Sequence, residues 1–354
     1  MSGKKTINNI RRRVLGQLTR TVGKHNARSL MQLNPATIER ILILRPNHRL
    51  GNMLLTTPLV QEIEQRFPNA SIDFFVKGFA APVIYKEYTS VKRFIHLPKK
   101  HFKEPIRYVR AWLALRSKPY DLVINLTPSS SSGRLATQFA RATHRLFGDE
   151  MQEASARFAD AIHMAKTPIY NLRLFLNPQV DPSIDLPTMS LRLSDTEKER
   201  GKALLNQLIS DPGKPTIALY TFATGAKCYS DAWWMPFLEQ IKERFSNHNL
   251  LEILPVENVS QIHFSIPSLY SKDIREMAAV LAHCAVFVTA DCGIMHLGSA
   301  APVATIGLFS VTNPAVYEPY NPGSCALKTE NLKMERILDQ MQEVNASSIS
   351  KCKI

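Results

Sequence analysis

The sequence predicts an α/β protein built from two βα-repeat domains with mostly parallel sheets. Three observations carry this. Short apolar runs rich in Val, Ile and Leu alternate with helical stretches in both halves of the 354-residue chain, the pattern of strands buried on both faces. Two stretches, near 40–63 and 286–310, each read as strand, glycine-containing turn, helix. Between the halves, residues 178–190 (Pro-Gln-Val-Asp-Pro-Ser-Ile-Asp-Leu-Pro-Thr-Met-Ser) carry three prolines and two acids, as an interdomain segment does. The expected boundaries are a basic segment over 1–35, domains over 36–180 and 181–330, and a C-terminal helix and tail over 331–354.

Composition bounds the class. Apolar residues make up 45% of the chain, enough for a sizeable core. No run approaches the roughly 18 apolar residues that a membrane helix needs, and the N-terminus lacks the apolar core of a secretory signal. The five cysteines are scattered, odd in number and form no C-x-x-C pair, which argues against a zinc knot or disulfide framework and fits a reducing cytosol. The net charge of +14 suits nucleic acid, an anionic membrane surface or a phosphorylated substrate. With no RNA-binding aromatic motif and no helix-turn-helix string, no nucleic-acid partner is expected.

Residues 1–38 hold eight Lys/Arg and no Asp/Glu. Ile10, Val14, Leu18 and Val22 recur at four-residue spacing among Arg11, Arg12, Arg13 and Arg20. This is the pattern of a basic amphipathic helix. It suits an anionic membrane surface, a place on the protein's own surface, or an organellar transit peptide.

Residues 40–45 then form a buried strand. Pro46-Asn-His48-Arg49-Leu-Gly51-Asn52 follows, with Gly51 allowing an unusual turn and a helix starting from Asn52. Neither G-x-G-x-x-G nor G-x-x-x-x-G-K-[ST] occurs, so dinucleotide oxidoreductases and P-loop enzymes lose ground. Strands are expected over 71–76, 93–97 and 122–126, a helix over 106–115, and a polar connecting loop over 129–133.

The second half opens with a helix at Ser194, where Ser194 and Glu197 have capping-box spacing. A strand over 216–220 leads into Thr221-Phe-Ala-Thr224-Gly225-Ala-Lys227, a Thr/Gly loop with one lysine that can cradle a phosphate. The strand over 250–254 ends near Glu257, which is either a solvated loop acid or a residue facing the strand-end crevice. A helix over 274–284 precedes the strand at 286–289. There Asp291 and Gly293 mark the turn, Asp291 can cap the next helix, and His296 stands one turn in. The strand at 303–309 and a rigid loop from Asn313 follow, and the terminal helix is expected to pack back across the domains. Ligands of open α/β sheets sit at such strand ends.

The string Phe-Val-Thr-Ala-Asp291-Cys292-Gly293-Ile-Met-His296-Leu, then Gly-Leu-Phe-Ser310-Val-Thr-Asn-Pro, closely resembles the donor signature of the heptosyltransferases, glycosyltransferase family 9. That family typically reads (V/T)-x-x-D-(S/T)-G-x-x-H-L, then (F/Y)-G-x-T-(D/N)-P. Cys292 stands where it has Ser or Thr, and Ser310 where it has Gly. The opening loop is similar to the family's R-x-D-R-x-G-D-x-x-x-T-x-P: Arg49, Gly51, Thr56 and Pro58 match, and Arg45 matches with one extra loop residue. Lys227, Tyr229 and Trp234 are similar to its K-x-W-x-x-x-x-W, with Tyr229 for the first Trp. The resemblance spans roughly 40–320.

It implies the GT-B fold, two Rossmann-like domains facing a central cleft. It implies inverting, metal-independent transfer of heptose or a related sugar from a nucleotide-diphosphate donor to a lipopolysaccharide-core or other cell-surface glycan. The donor set it implies is Thr221, Thr224, Gly225, Lys227, Glu257, Asp291, Cys292, Gly293 and His296, and the acceptor set Arg45, Arg49 and Gly51. No cofactor is expected; the nucleotide-diphospho-sugar is substrate, with an ADP-sugar favoured. The further partners are a lipid-linked glycan acceptor and an anionic membrane surface met through 1–35. The implied location is cytoplasmic and peripheral, on the inner face of a bacterial inner membrane.

One departure bears on catalysis. The family's acid after the glycine, its catalytic base, is Asn52 here, and the earlier Asp position is His48. An amide does not titrate near neutral pH. Three readings follow: His48 acts as base, Asn52 orients the acceptor while another acid serves, or the protein is a non-catalytic nucleotide-sugar or glycan binder at the membrane surface. A nucleotide-sugar epimerase of the same fold would want more cleft acids and histidines than Glu257 and His296.

Overall fold

The computed structural model describes residues 35–98, 103–148, 157–181 and 183–351. Apart from Pro35, the amphipathic segment expected over 1–35 lies outside them. The chain divides into two compact units, Met1–His48 with Pro58–Pro187, and Arg49–Thr57 with Thr188–Ile354. The short piece Arg49–Thr57 therefore packs with the second unit, although it follows the first strand of the first.

In chain order the first half runs β1 (Arg40–Arg45), α1 (Leu50–Leu54), α2 (Thr57–Arg66), β2 (Ser71–Lys77), α3 (Ala80–Ile84), β3 (Val91–Leu97), α4 (Pro105–Ala114), β4 (Tyr120–Asn125), α5 (Ser131–Phe139), β5 (Ala142–Leu146) and α6 (Thr167–Leu176). The five strands lie in the order β3-β2-β1-β4-β5, and every pairing is parallel. β1 is buried along five of its six residues, as an apolar run in the middle of a parallel sheet requires. Leu42, Leu44, Phe75, Ile95 and Val123 pack with Ala111 and Leu115 beneath α4, and with Ala136 of α5. The connection expected over 129–133 is instead the start of α5. The Ser130 hydroxyl accepts a hydrogen bond from the Gly133 amide at 3.4 Å and so caps the helix.

The second half runs α7 (Asp195–Leu208), β6 (Thr216–Tyr220), α8 (Asp231–Arg244), β7 (Asn249–Leu254), β8 (Ser268–Tyr270), α9 (Ile274–Leu281), β9 (Val286–Ala290), α10 (Gly293–Ala300), β10 (Thr305–Phe309), α11 (Pro314–Tyr317), β11 (Cys325–Lys328) and α12 (Met334–Lys351). Its six strands lie in the order β11-β10-β9-β6-β7-β8, again all parallel. Alternate residues of three strands, Ile217 and Leu219, Val286 and Val288, Ile306 and Leu308, meet Trp234 and Phe237 of α8 and Ile337 and Met341 of α12. The terminal helix thus packs on the second unit's own sheet. The strand order reverses between β6 and β9, and the crevice beyond the carboxyl ends of such a pair is where open α/β sheets bind ligands. No described helix is long and apolar enough to cross a membrane.

Candidate active site

At the β6/β9 reversal the second unit holds a cavity of about 780 Å³, within the size range of small-molecule sites. β6 delivers Tyr220 and then the loop with Thr224 and Lys227. β7 delivers Glu257. The end of β9 delivers Asp291, Cys292 and Gly293, with His296 one turn into α10. Arg49, Gly51 and Asn52 of the first glycine loop line the same cavity.

Two glycines make that convergence possible. A Cβ on Gly51 would lie 2.8 Å from His296 Cδ2 and 3.1 Å from Gly293 Cα. A Cβ on Gly293 would lie 3.2 Å from the Gly51 amide nitrogen. Only residues without side chains let α1 reach the start of α10 this closely. Gly51 lies inside α1 and is absent from the positive-φ glycines. Its role is close approach, not the unusual turn expected from the sequence.

Lys227 and Asp291 form the centre of the charge arrangement. Lys227 Nζ donates to Asp291 Oδ2 at 2.5 Å, and the Thr312 hydroxyl donates to the same oxygen. Asp291 is 5% exposed, and with both donors its carboxylate orients the ammonium instead of capping α10. The residue at the cap is Cys292, whose side chain makes no capping hydrogen bond. The Lys227 ammonium also stands 5.9 Å from the Tyr317 ring centroid. The cavity lining holds three fixed cations, Arg49, Lys227 and Lys272, against two carboxylates, Asp291 and Glu257. That surplus and the amino end of α10 suit a diphosphate.

Cys292 occupies the hydroxyl position of the family pattern. Burial pushes its thiol above the ordinary value, although Thr289 and then the amides of α10 pull the other way, which disfavours the thiolate form. Burial, followed by nearby Cys292, Glu257 and Cys228, also raises Tyr220, which keeps its phenol neutral at the cavity wall. Among the described residues no group of three His, Cys, Asp or Glu side chains is placed to hold a metal ion.

Four expected residues lie elsewhere. Thr221 is buried and turns away, donating to Glu252 Oε1 at 2.6 Å and accepting from the Gln261 amide at 3.1 Å. Gly225 opens a single 3-10 turn, Gly225–Lys227, at φ +68°, and its backbone lies outside the lining. Arg45 is buried in the first unit, where Nη1 donates to the Leu126 carbonyl at 2.5 Å. His48 is exposed and ends the first unit's N-terminal piece. The sequence reading missed Lys272, Thr312 and Tyr317. Thr312 lies inside the matched donor string. Lys272, beside the cap residue Asp273 of α9, carries no local signal that separates it from a solvated lysine.

A family model described as glycosyltransferase family 9 (heptosyltransferase) matches residues 108–344, about two thirds of the chain. The chain belongs to glycosyltransferase family 9. Among its relatives, lipooligosaccharide heptosyltransferase 2 of Haemophilus influenzae is 24% identical over 311 residues, covering 79% of this chain and 85% of that protein. Lipopolysaccharide heptosyltransferase 3 of Escherichia coli is 21% identical over 293 residues, covering 77% and 84%. The solved family 9 glycosyltransferase of Veillonella parvula superposes with a TM-score of 0.66 at 16% identity, covering 89% of this chain and all of that one. E. coli heptosyltransferase WaaC with ADP gives 0.62 at 18% identity, covering 86% and 99%. These likenesses show the fold, and the α/β, GT-B class expected from the sequence is the one found. As a family 9 member the protein is a glycosyltransferase of the heptosyltransferase kind.

Proposed function

We propose that the cavity of the second unit binds a nucleotide-diphospho-sugar, with an ADP-sugar favoured. The sugar, heptose or a relative, passes with inversion and without a metal to a lipopolysaccharide-core or similar lipid-linked glycan. The observation that carries this is the convergence of Lys227, Asp291 and the start of α10 with Asn52 and Arg49 on one cavity. Support for the donor's base comes from the neighbour solved with ADP.

In the proposed reaction the acceptor hydroxyl attacks the anomeric carbon from the face opposite the diphosphate. The new C–O bond forms as the bond to the phosphate oxygen breaks, and the nucleoside diphosphate leaves with the electron pair. Lys227 and the amides of α10 take up the charge developing on the leaving group. Asn52 orients the acceptor hydroxyl but cannot take its proton. His48, next to Arg49 in sequence though outside the cavity lining, is the residue proposed for that role. The proposed setting is the inner face of a bacterial inner membrane, with residues 1–35 against anionic lipid.

Donor turnover in the presence of EDTA, with the product's anomeric configuration read by NMR, tests the reading. Metal-independent release of nucleoside diphosphate and an inverted product are expected. Nucleotide affinity without any turnover would make the protein a binder. His48→Ala is expected to lower kcat by about 10²-fold or more; full turnover in that variant would remove His48 from the mechanism.

A further inference from the structure

The first unit presents an apolar surface on residues that do not line the second unit's cavity. α4 is apolar on two sides. Its inner side, Ala111 and Leu115 with the half-buried Tyr108 and Trp112, packs on the sheet. On the other side Ile106, Val109 and Leu113 are 67%, 54% and 59% exposed. Their i, i+3, i+7 spacing stacks them in one stripe along the helix. At 100° per residue, Arg110 and Arg107 fall along one edge of that stripe and Arg116, just past the helix, along the other. All three arginines are exposed. Within α4 itself there is no acid. Glu104, immediately before it, is paired with Arg107 at 2.8 Å, and the Arg116 guanidinium lies 5.4 Å from the Phe139 ring centroid.

We propose that this face of α4 docks on an anionic membrane surface, with Ile106, Val109 and Leu113 entering the boundary between headgroups and acyl chains and the flanking arginines meeting lipid phosphates. The proposal rests on the reading that the acceptor is lipid-linked, and it supplies a contact within the folded first unit in addition to residues 1–35. A surface helix ordinarily turns a polar face outward; an outward apolar stripe rimmed by arginines is the pattern of a helix lying in a membrane interface. Charge selects the occupant. Residues 1–38 carry eight cations and no acid, and a second copy of this chain brings a net +14, so both repel the arginine rim. An anionic lipid surface attracts it.

The test is flotation of the full chain with vesicles of phosphatidylcholine alone and of phosphatidylcholine with phosphatidylglycerol. The I106S/V109S/L113S variant is compared with an R11Q/R12Q/R13Q variant. The wild type is expected to float with the anionic vesicles and not the neutral ones. The stripe variant is expected to lose about tenfold or more in vesicle affinity, with Tm unchanged because the three side chains are exposed. Stripe-variant binding equal to wild type overturns the proposal, as does a wild type that ignores anionic vesicles or binds both kinds equally. Stabilisation by nucleoside diphosphates, measured on the same preparations, reads the donor site separately. Vesicle failure with that response intact overturns the surface alone, and the converse overturns the donor reading alone.

Discussion

Lys227 and Asp291 show how a single contact sets the behaviour of the site. Lys227→Ala removes the cation proposed to meet a diphosphate and leaves a nearly buried carboxylate holding the Thr312 hydroxyl. Expected is a loss of about 1–3 kcal/mol in stability, together with loss of nucleotide-induced stabilisation. The double variant Lys227→Ala/Asp291→Asn should recover stability in denaturant melts but not nucleotide binding. Gly51→Ala must displace the His296 ring or the Gly293 backbone, at about 1–3 kcal/mol. Its kcat/KM should fall further than its Tm alone explains. Glu252 provides a pH readout. It is fully buried, and burial raises its carboxyl above the ordinary 4.5 despite the hydroxyls of Thr221 and Ser260, which pull it down. A raised folded pKa means the folded state holds the proton more tightly. That contribution to stability is therefore complete below pH 4.5 and is lost as pH rises through the folded value. Urea midpoints of Glu252→Gln relative to wild type should improve as pH climbs from about 4.5 through that value; a pH-independent difference would contradict the assignment.

At the scale of elements, the helix and strand interiors were legible, as was the edge strand β3, and the other three sheet edges were not. β1 and β6 lie where their apolar runs place them, and the capping box at Ser194 is present in full, with Glu197 Oε2 accepting from the Ser194 amide at 2.9 Å. β5, β8 and β11 went unread because they are short and only partly buried, so no apolar run marks them. Ser129-Ser-Ser-Ser-Gly133 looked like a linker because serine favours loops, yet Ser130 uses that preference to cap α5. Glu197 does more than cap. It also holds Arg275 of α9 through Nε at 2.7 Å and Nη2 at 2.6 Å, and Arg275 is buried. Glu197→Ala should therefore cost about 3–5 kcal/mol by taking the carboxylate away from that buried guanidinium, which still donates to the Leu191 and Arg192 carbonyls. Ser194→Ala should cost only about 1 kcal/mol. Equal losses in chemical denaturation would mean that the α7–α9 pair contributes nothing beyond the cap.

At the scale of the whole molecule, two repeats of βα units gave the two sheets, and the prolines and acids of 178–190 bracket the point where the second unit resumes at Thr188. The reassignment of Arg49–Thr57 to the second unit was not legible. It depends on Gly51 meeting Gly293, a contact between residues more than 240 positions apart that no local pattern encodes. For the same reason Asn52 could be read as a departure from the family's acid, but not as a wall of the second unit's cavity. The central claim is that this cavity is a nucleoside-diphosphate site. Thermal stabilisation of the full chain by ADP, UDP, GDP and CMP, beside Lys227→Ala, tests it most directly. At about 100-fold excess over its Kd a ligand adds about 2.7 kcal/mol. The account predicts a clear rise in Tm with ADP that is lost in the variant. No shift with any of the four, or an equal shift in the variant, would contradict it.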